Sequence, residues 1–463
     1  MRVLLISTYD LGRQPFGLAS PAAWLRREGH EVLLADTTRA PLEDIEIRDA
    51  ELVAFYLPMH TATRLATPLI DRVRRLNPEA HICGYGLYAP LNAEWLRTQG
   101  VDSILDGEFE KDLVEIAKEV SLPKEMRPNI WTKPADSIKL PRLQFIPPDR
   151  SGLPMLKEYA MVQMTDGTRR VVGSTESSRG CKHLCRHCPI VPVYKGQFRV
   201  IPVDVVLHDV AAQVKAGATH ISFSDPDFFN GPKHATQIIR RLATEHTGVT
   251  YDVTIKIEHL LRHKDLLPLL HDTGCLFITS AVESVDNQVL TKLAKGHTRE
   301  DFIRVVELCR ASDITLSPTF VPFTPWTTRD GYLDLIETLA SLGLVEHVAP
   351  IQLAIRLLIT ERSALLELED IREKVTVFNH DSLTWPWQHS DPGVDDLQRK
   401  IIRLVGLHHN EPRAKVFSAI ADLASKISGR TSSIVVSPIK QDTVVPIINE
   451  PWYCCAEPDA ELI

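Results

Sequence analysis

No apolar run in this chain of 463 residues approaches the length of a membrane span, and no block of one charge stands out. The first absence excludes a helical membrane protein. The second disfavours a nucleic-acid partner, since Lys+Arg number 52 against Asp+Glu 60, a formal net charge of -8. The opening MRVLLISTYD has only a few apolar residues before Tyr9 and Asp10, too few for a secretory signal, so the cytoplasm is the expected compartment. Cysteine is scarce: eight in the chain, too few and too scattered for a disulfide scaffold. Internal repeats and low-complexity tracts are missing too. What is present is a globular composition, 44% hydrophobic and 24% charged, long enough for two or three domains.

Residues 1–120 alternate short apolar runs with amphipathic stretches. Strands are expected at Val3–Ser7, Glu31–Asp36, Leu52–Leu57, His81–Tyr85 and Ser103–Asp106, with helices between them such as Pro21–Glu28 and Ala62–Leu76. That order predicts βαβ units around a parallel sheet, a Rossmann-like α/β domain that binds ligands at the carboxyl ends of its strands. Over 121–169, Pro123, Pro128, Pro134, Pro141, Pro147 and Pro148 break any long helix and suggest a linker. From 170 to 356 a second series follows, with strands expected at Arg170–Ser174, His220–Ser224, Thr250–Ile257, Leu276–Val282, Thr315–Val321 and His347–Ile355. Six βα repeats fit a partial (β/α)6 barrel, with chemistry at the carboxyl ends of the strands. Residues 357–430 are expected to be mainly helical, through Ala364–Lys374, Val394–Leu407 and Pro412–Ser428. Residues 431–463, with four prolines, are expected to form an extended tail that carries Cys454 and Cys455.

The cysteines are unevenly placed. Cys83, Cys275 and Cys309 sit singly in apolar segments and read as buried small hydrophobes. Cys181, Cys185 and Cys188 fall together, in Ser178-Arg-Gly-Cys181-Lys-His-Leu-Cys185-Arg-His-Cys188-Pro189. Thiolates are the usual protein ligands of iron–sulfur clusters, and three of them on a four-iron cluster leave one iron open to an exogenous ligand. The competing reading is a structural zinc site with His183 or His187 as fourth ligand.

The Cys-x3-Cys-x2-Cys spacing just after the first strand of a βα series resembles the radical S-adenosylmethionine (SAM) superfamily, over about residues 170–330. The resemblance implies a [4Fe–4S] cluster on these cysteines, with SAM chelating the open iron. It also implies SAM contacts at later strand ends: Ser224, Asp225 and Asp227 after the second strand, Glu258 after the third, and Glu283 after the fourth. Singly, each acid could equally be a solvated loop charge or a helix cap.

A Rossmann-like domain ahead of such a barrel resembles the cobalamin-binding subclass of that superfamily, which holds the corrin between the two domains. Tyr9–Gly17 lacks the Asp-x-His-x-x-Gly loop that carries an axial histidine in other cobalamin proteins. His60 is a candidate contact, with a capping histidine as the alternative. Gly84, Gly86 and Gly107 are candidates for close backbone approach to a large ligand, although ordinary turns also use glycine. The alternative is a domain that shapes the cavity without holding cobalamin.

The tail reads Pro451-Trp-Tyr-Cys454-Cys455-Ala-Glu-Pro458. It resembles the radical SAM proteins recognised by a Cys-Cys-Ala-Glu-Pro tail, as do Gln14–Pro21 and Pro58–Arg64. Adjacent thiols strain a disulfide yet can share one thiophilic atom. A cysteine-rich tail also occurs in radical SAM enzymes that attach a SAM-derived aminocarboxypropyl group to arsenite, but Glu457 and Pro458 replace the Lys-Cys found there. An incidental exposed pair is the competing reading of Cys454 and Cys455.

Three functions follow. The first is a transferase moving an alkyl group from SAM to a small molecule, including a thiophilic one of arsenic or selenium type held by the dithiol. The second is a cobalamin-dependent methyltransferase with the dithiol as reductant. The third is an iron–sulfur or metalloid sensor without turnover. Either enzyme reading calls for an electron donor such as a flavodoxin or ferredoxin.

Overall fold

The computed structural model describes residues 1–123, 143–430 and 445–449. In β1 (Arg2–Ser7) successive side chains face opposite sides, as strand geometry requires. Val3 and Leu5 join one apolar cluster with Leu52 and Ala54, while Leu4 and Ile6 join another with Val53 and Phe55. Burial on both faces suits a parallel sheet covered by helices on both sides. β2 (Glu31–Asp36), β3 (Leu52–Tyr56), β4 (His81–Tyr85) and β5 (Ser103–Ile104) complete that sheet, in the order β2-β1-β3-β4-β5 with every pairing parallel. The order reverses between β1 and β3, which puts a crevice at the carboxyl ends of these strands.

The second sheet is built from β6 (Met161–Gln163), β7 (Arg169–Thr175), β10 (His220–Phe223), β11 (Thr250–Thr254), β12 (Cys275–Glu283), β13 (Thr315–Phe320) and β14 (Ile447–Ile448). A separate antiparallel hairpin, β8 (Ser178–Gly180) with β9 (Phe198–Val200), frames the cysteine loop. From β7 through β10, β11 and β12 to β13 the pairings are parallel, giving a curled half-barrel. Ile221, Val253, Ile278 and Leu316 face the surrounding helices within one large core.

Five parallel strands stand where six were expected. Over 347–355 the chain instead makes tight turns at Val345–His347 and Pro350–Leu353, and the sixth pairing shrinks to one parallel bridge between Phe323 and Arg356. Pro350 has no N–H to give a ladder, and its fixed φ favours the turn. The helix expected over Ala364–Lys374 is likewise split, into a turn at Ala364–Glu367 and a short helix at Glu369–Arg372. Leu368 between them is extended. The helices Pro392–Leu407 and Arg413–Ser428 form as expected, burying Leu397, Ile401, Phe417 and Ile420 against the barrel core.

β14 is antiparallel to β6, and β6 is antiparallel to β7. It therefore runs with the barrel strands, toward their carboxyl ends. Ile448 packs beside Val162, Val172 and Phe277.

The two sheets turn their carboxyl edges toward each other and are joined by buried charge. Arg179 donates through Nη1 and Nη2 to both oxygens of Glu110 (2.9 and 2.6 Å) and through Nε to Glu176 (2.6 Å). Ser20 adds a 2.7 Å hydrogen bond to Glu110, and the rings of Phe16, Phe109 and Phe145 surround the guanidinium at 5.2–5.7 Å. Arg179 is 6% exposed and Glu110 wholly buried. Breaking one partner of such a pair strands the other charge, at a cost of about 3–5 kcal/mol.

Candidate functional site

The cysteine loop follows directly from β7 and the first strand of the hairpin. Gly180, just before Cys181, has a φ of +76°. A methyl group there would overlap the Tyr194 ring and the Gln197 carbonyl, so only glycine fits. Asn230 holds the loop from both sides, accepting from the Lys182 N–H (3.1 Å) and donating to the Gly180 carbonyl (3.3 Å). The Arg186 N–H reaches the Leu293 carbonyl, and the Cys188 N–H closes a turn on Cys185. Cys181 and Cys185 are buried and Cys188 half-buried.

Two lysines are buried against these sulfurs. Lys256 Nζ lies 3.5 Å from Cys185 Sγ with 7% exposure. Lys295 sits 3.2 Å from Glu283, and Cys185 and Cys188 also act to keep it charged. An ammonium withdrawn from water needs negative charge nearby. Thiolates on an anionic cluster supply that charge, so this donor set fits a [4Fe–4S] cluster. Cys181, His183 and Asp227 also bring ligand atoms within 4.8 Å of one another, enough for a single metal ion. That grouping would leave Cys185 and Cys188 unused beside their lysines, whereas a cluster employs all three sulfurs.

The acids named from the sequence gather at the barrel mouth in different roles. Glu283 ends β12 in the left-handed region, φ +69°, next to an irregularity in the pairing with β13. A non-glycine residue held there costs about 1–3 kcal/mol, a cost met where the side chain has work to do. Burial alone would raise its pKa, but Lys295 and His187 (3.1 Å) outweigh burial and hold the carboxyl at about 2. Asp227 is fully buried and still ionised below the usual carboxylate range, since His183 and His259 overcome its desolvation. Glu258, 29% exposed, faces Arg262 at 2.8 Å and His183 at 3.5 Å.

Asp225 is turned toward the cysteine loop. It accepts from the Ser177 N–H and Oγ and from the Ser178 Oγ at 2.6–2.8 Å, while burial pushes its pKa up to about 6. Its carboxylate is thereby committed to positioning the loop. Ser224 Oγ shares a hydrogen bond with Ser174 and accepts from Arg13 of the first unit at 3.3 Å.

The candidates of the first unit do not join this group. His60 is buried at the start of the helix His60–Leu76. Its pKa falls to about 4 through burial, against hydrogen bonds to the backbone of Ser382 and Leu383 that favour the protonated ring. Gly84 lies in ordinary contact with Leu57 and Leu96. The clearance at Gly86 is taken by the Leu57 carbonyl and Tyr56, and that at Gly107 by Tyr194. Cys454 and Cys455 lie outside the described residues.

Among the participants with no assigned role in the sequence are Arg13, Glu108, Glu110 and Arg179. Glu108 is 1% exposed, with Oε1 3.4 Å from the Tyr194 hydroxyl and Oε2 without a partner among the described residues. Burial pushes its pKa up to about 8. A carboxyl raised this way is protonated in the folded chain while the unfolded chain ionises near 4.5, so stability falls as pH rises between about 4.5 and about 8. Glu108→Gln is expected to flatten that fall, and melting temperatures taken from pH 5 to pH 9 check it. Parallel curves for the two proteins would show that Glu108 ionises normally.

Residues 175–339 match the model of the radical SAM superfamily. The hopanoid C-3 methylase of Methylococcus capsulatus is 24% identical over 343 residues, covering 70% of this chain and 64% of that protein. The chain spans 37–64% of the length of the curated relatives it matches. Among solved structures, the cobalamin-dependent SAM radical enzyme OxsB with aqua-cobalamin bound aligns at a TM-score of 0.67. It has 16% identity and covers 92% of this chain and 71% of that one. The radical SAM methyltransferase TsrM of Kitasatospora setae, with cobalamin and a [4Fe–4S] cluster bound, aligns at 0.59, with 17% identity and coverage of 74% and 73%. Among the described residues no helix is long and apolar enough to cross a membrane.

Proposed function

We propose that this chain, whose residues 175–339 belong to the radical SAM superfamily and so call for a [4Fe–4S] cluster and SAM, is a cobalamin-dependent methyltransferase acting on a small molecule. The observation that carries the reading is the meeting of two carboxyl edges. The switch point of a doubly wound sheet faces the mouth of a half-barrel that bears three thiols, two buried lysines and an ionised Glu283. The similarity to OxsB and TsrM in fold, and to the methylase in sequence, supports it.

Cys181, Cys185 and Cys188 would hold the cluster, which would supply electrons to SAM. Lys256 and Lys295 offset the negative charge of the sulfurs. Glu283 receives the SAM amino group at a site it already shares with Lys295 and His187. Asp225 and Asn230 keep the cysteine loop in register. Cobalamin, when bound, supplies a methyl carrier. The protein surfaces at Gly86 and Gly107 are already filled by Tyr56 and Tyr194, and His60 is turned to Ser382 and Leu383. His60 would thus be no ligand of cobalamin, and His60→Ala is expected to leave the visible spectrum of the cobalamin-loaded protein unchanged.

The tail dithiol acts in this reading as a reductant, and the Cys-Cys-Ala-Glu-Pro resemblance belongs with it. A thiophilic acceptor held by the same two thiols is the variant in which the transferred group goes to arsenic or selenium. Incubating the reconstituted protein with SAM and a reductant separates the readings by product. S-adenosylhomocysteine is expected from the SAM that gives up its methyl group, and 5′-deoxyadenosine from SAM cleaved by the cluster's electron. Methylthioadenosine would indicate aminocarboxypropyl transfer instead, and no product from protein loaded with all its cofactors would favour a sensor.

Removing the Glu283 carboxylate tests the SAM site separately. Glu283→Gln is expected to weaken SAM binding about tenfold or more, the worth of a charge-assisted hydrogen bond in a closed site, at unchanged iron content. Equilibrium binding measures it. Unaltered affinity would reduce Glu283 to a counter-charge for Lys295.

A further inference from the structure

We infer that the outer face of the cysteine loop, with the β8–β9 hairpin, is the docking surface for a small acidic one-electron carrier protein. The inference rests on the cluster reading above and adds the route by which the electron arrives.

Within the loop, burial changes abruptly. Cys181 and Cys185 are 8% and 6% exposed, yet Leu184 between them is 59% exposed. An apolar side chain projecting from a loop otherwise devoted to buried ligands suits a contact that is made and broken. Its neighbours continue the surface. Gly196 lies under Leu184, Phe198 packs near Gly231, and Val200 is 44% exposed.

Cations frame this apolar strip. Lys182 is exposed with Nζ 5.2 Å over the Phe198 ring. Lys195 is exposed at the end of the helix Ile190–Tyr194, and Lys233 in the first turn of Pro232–Glu245, beside Gly231. None of the three has a carboxylate partner among the described residues. Of the nearby acids, Asp227 is buried between His183 and His259, Glu258 is engaged by Arg262 and His183, and Asp204 pairs with Arg241. On a chain with a formal net charge of -8, a cluster of unpaired lysines around exposed apolar residues is a local reversal of sign. Such a patch steers an acidic partner and raises its on-rate by 10–10³, an effect that salt suppresses.

The step is a one-electron transfer. The reduced carrier loses one electron, the cluster gains it, and no bond or proton moves. Because Leu184 is flanked in the chain by two cluster ligands, a partner seated on it is separated from the cluster only by the loop.

The test uses the reconstituted full chain, reduced flavodoxin as probe and loss of the cluster's visible absorbance as readout, so no substrate is needed. In the double variant Lys195→Glu/Lys233→Glu the second-order rate of reduction by flavodoxin is expected to fall about tenfold at low salt. The difference should narrow as salt rises, and reduction by dithionite, which needs no docking, should keep its rate. Leu184→Asp is expected to slow flavodoxin in the same selective way at unchanged iron content. Equal flavodoxin rates in wild type and both variants would overturn the proposal. So would a change confined to sedimentation behaviour, which would assign the face to a second copy of this chain. Protein that takes up no iron would sink the cluster reading itself, an outcome distinct from either.

Discussion

Replacing any one of Cys181, Cys185 or Cys188 by alanine is expected to take the reconstituted protein from about four irons and four sulfides per chain to almost none. The broad visible absorbance and all cleavage of SAM should go with them. The size of the effect follows from the ligand set. With three sulfurs and an open iron there is no spare protein ligand, and the loop has no slack: Gly180 admits no side chain, Asp225 and Asn230 fix its N-terminal side, and the Leu293 carbonyl holds Arg186 near its other end. Lys256 sharpens the outcome, because its buried ammonium lies on the Cys185 sulfur and would lose that negative charge, whereas Lys295 keeps Glu283. Iron and sulfide analysis of anaerobically prepared variants measures it. Stoichiometric zinc in place of iron in the wild type would return the site to the grouping of Cys181, His183 and Asp227.

Ending the chain after Asn449 is expected to abolish turnover while leaving iron content and SAM affinity near wild type. The described part of the tail gives the reason. β14 pairs with β6 and runs toward the carboxyl ends of the barrel strands, and the Asn449 N–H still bonds the Met161 carbonyl. Met161 is itself in register with Val171 of β7. Cys454 and Cys455 follow that anchor by five and six residues in the chain, and a residue spans at most about 3.3–3.6 Å, which limits how far the thiols can lie from it. Serine at either cysteine should match the truncation, because a lone thiol neither chelates nor cycles as an intramolecular pair. Full turnover by Cys454→Ser/Cys455→Ser would make the tail dispensable and remove the case for a thiophilic acceptor. Product formation, iron content and SAM binding measured on the same preparations separate these outcomes.

Local pattern carried much of the fold. The strand His81–Tyr85 lies where its apolar run placed it, since both faces of a central parallel strand are buried and the run is its own signal. The sixth barrel strand was misread for the same reason: His347–Ile355 is apolar, but Pro350 favours a turn and only Phe323 and Arg356 bridge. At the site, the three cysteines were legible because their spacing is local. Asp225 was placed at the right strand end, but its partners Ser177 and Ser178 lie 48 and 47 positions away, so its engagement with the loop was not visible. Arg179 and Glu110 are 69 positions apart and leave no mark in periodicity or motif.

That last pair bears on how the chain can be cut and recombined. The guanidinium two residues before the first cysteine is neutralised from the other unit, and Val193 and Tyr194, just past the last cysteine, lie in the apolar core of the N-terminal sheet. The cysteine loop is thus bracketed on both sides by contacts that the barrel does not own. A barrel expressed alone would leave Arg179 with Glu176 alone as its counter-charge and would expose two core side chains beside the place where iron must assemble. The units are not exchangeable modules, and a chimera with a foreign N-terminal half would have to bring both a carboxylate for Arg179 and a socket for Tyr194.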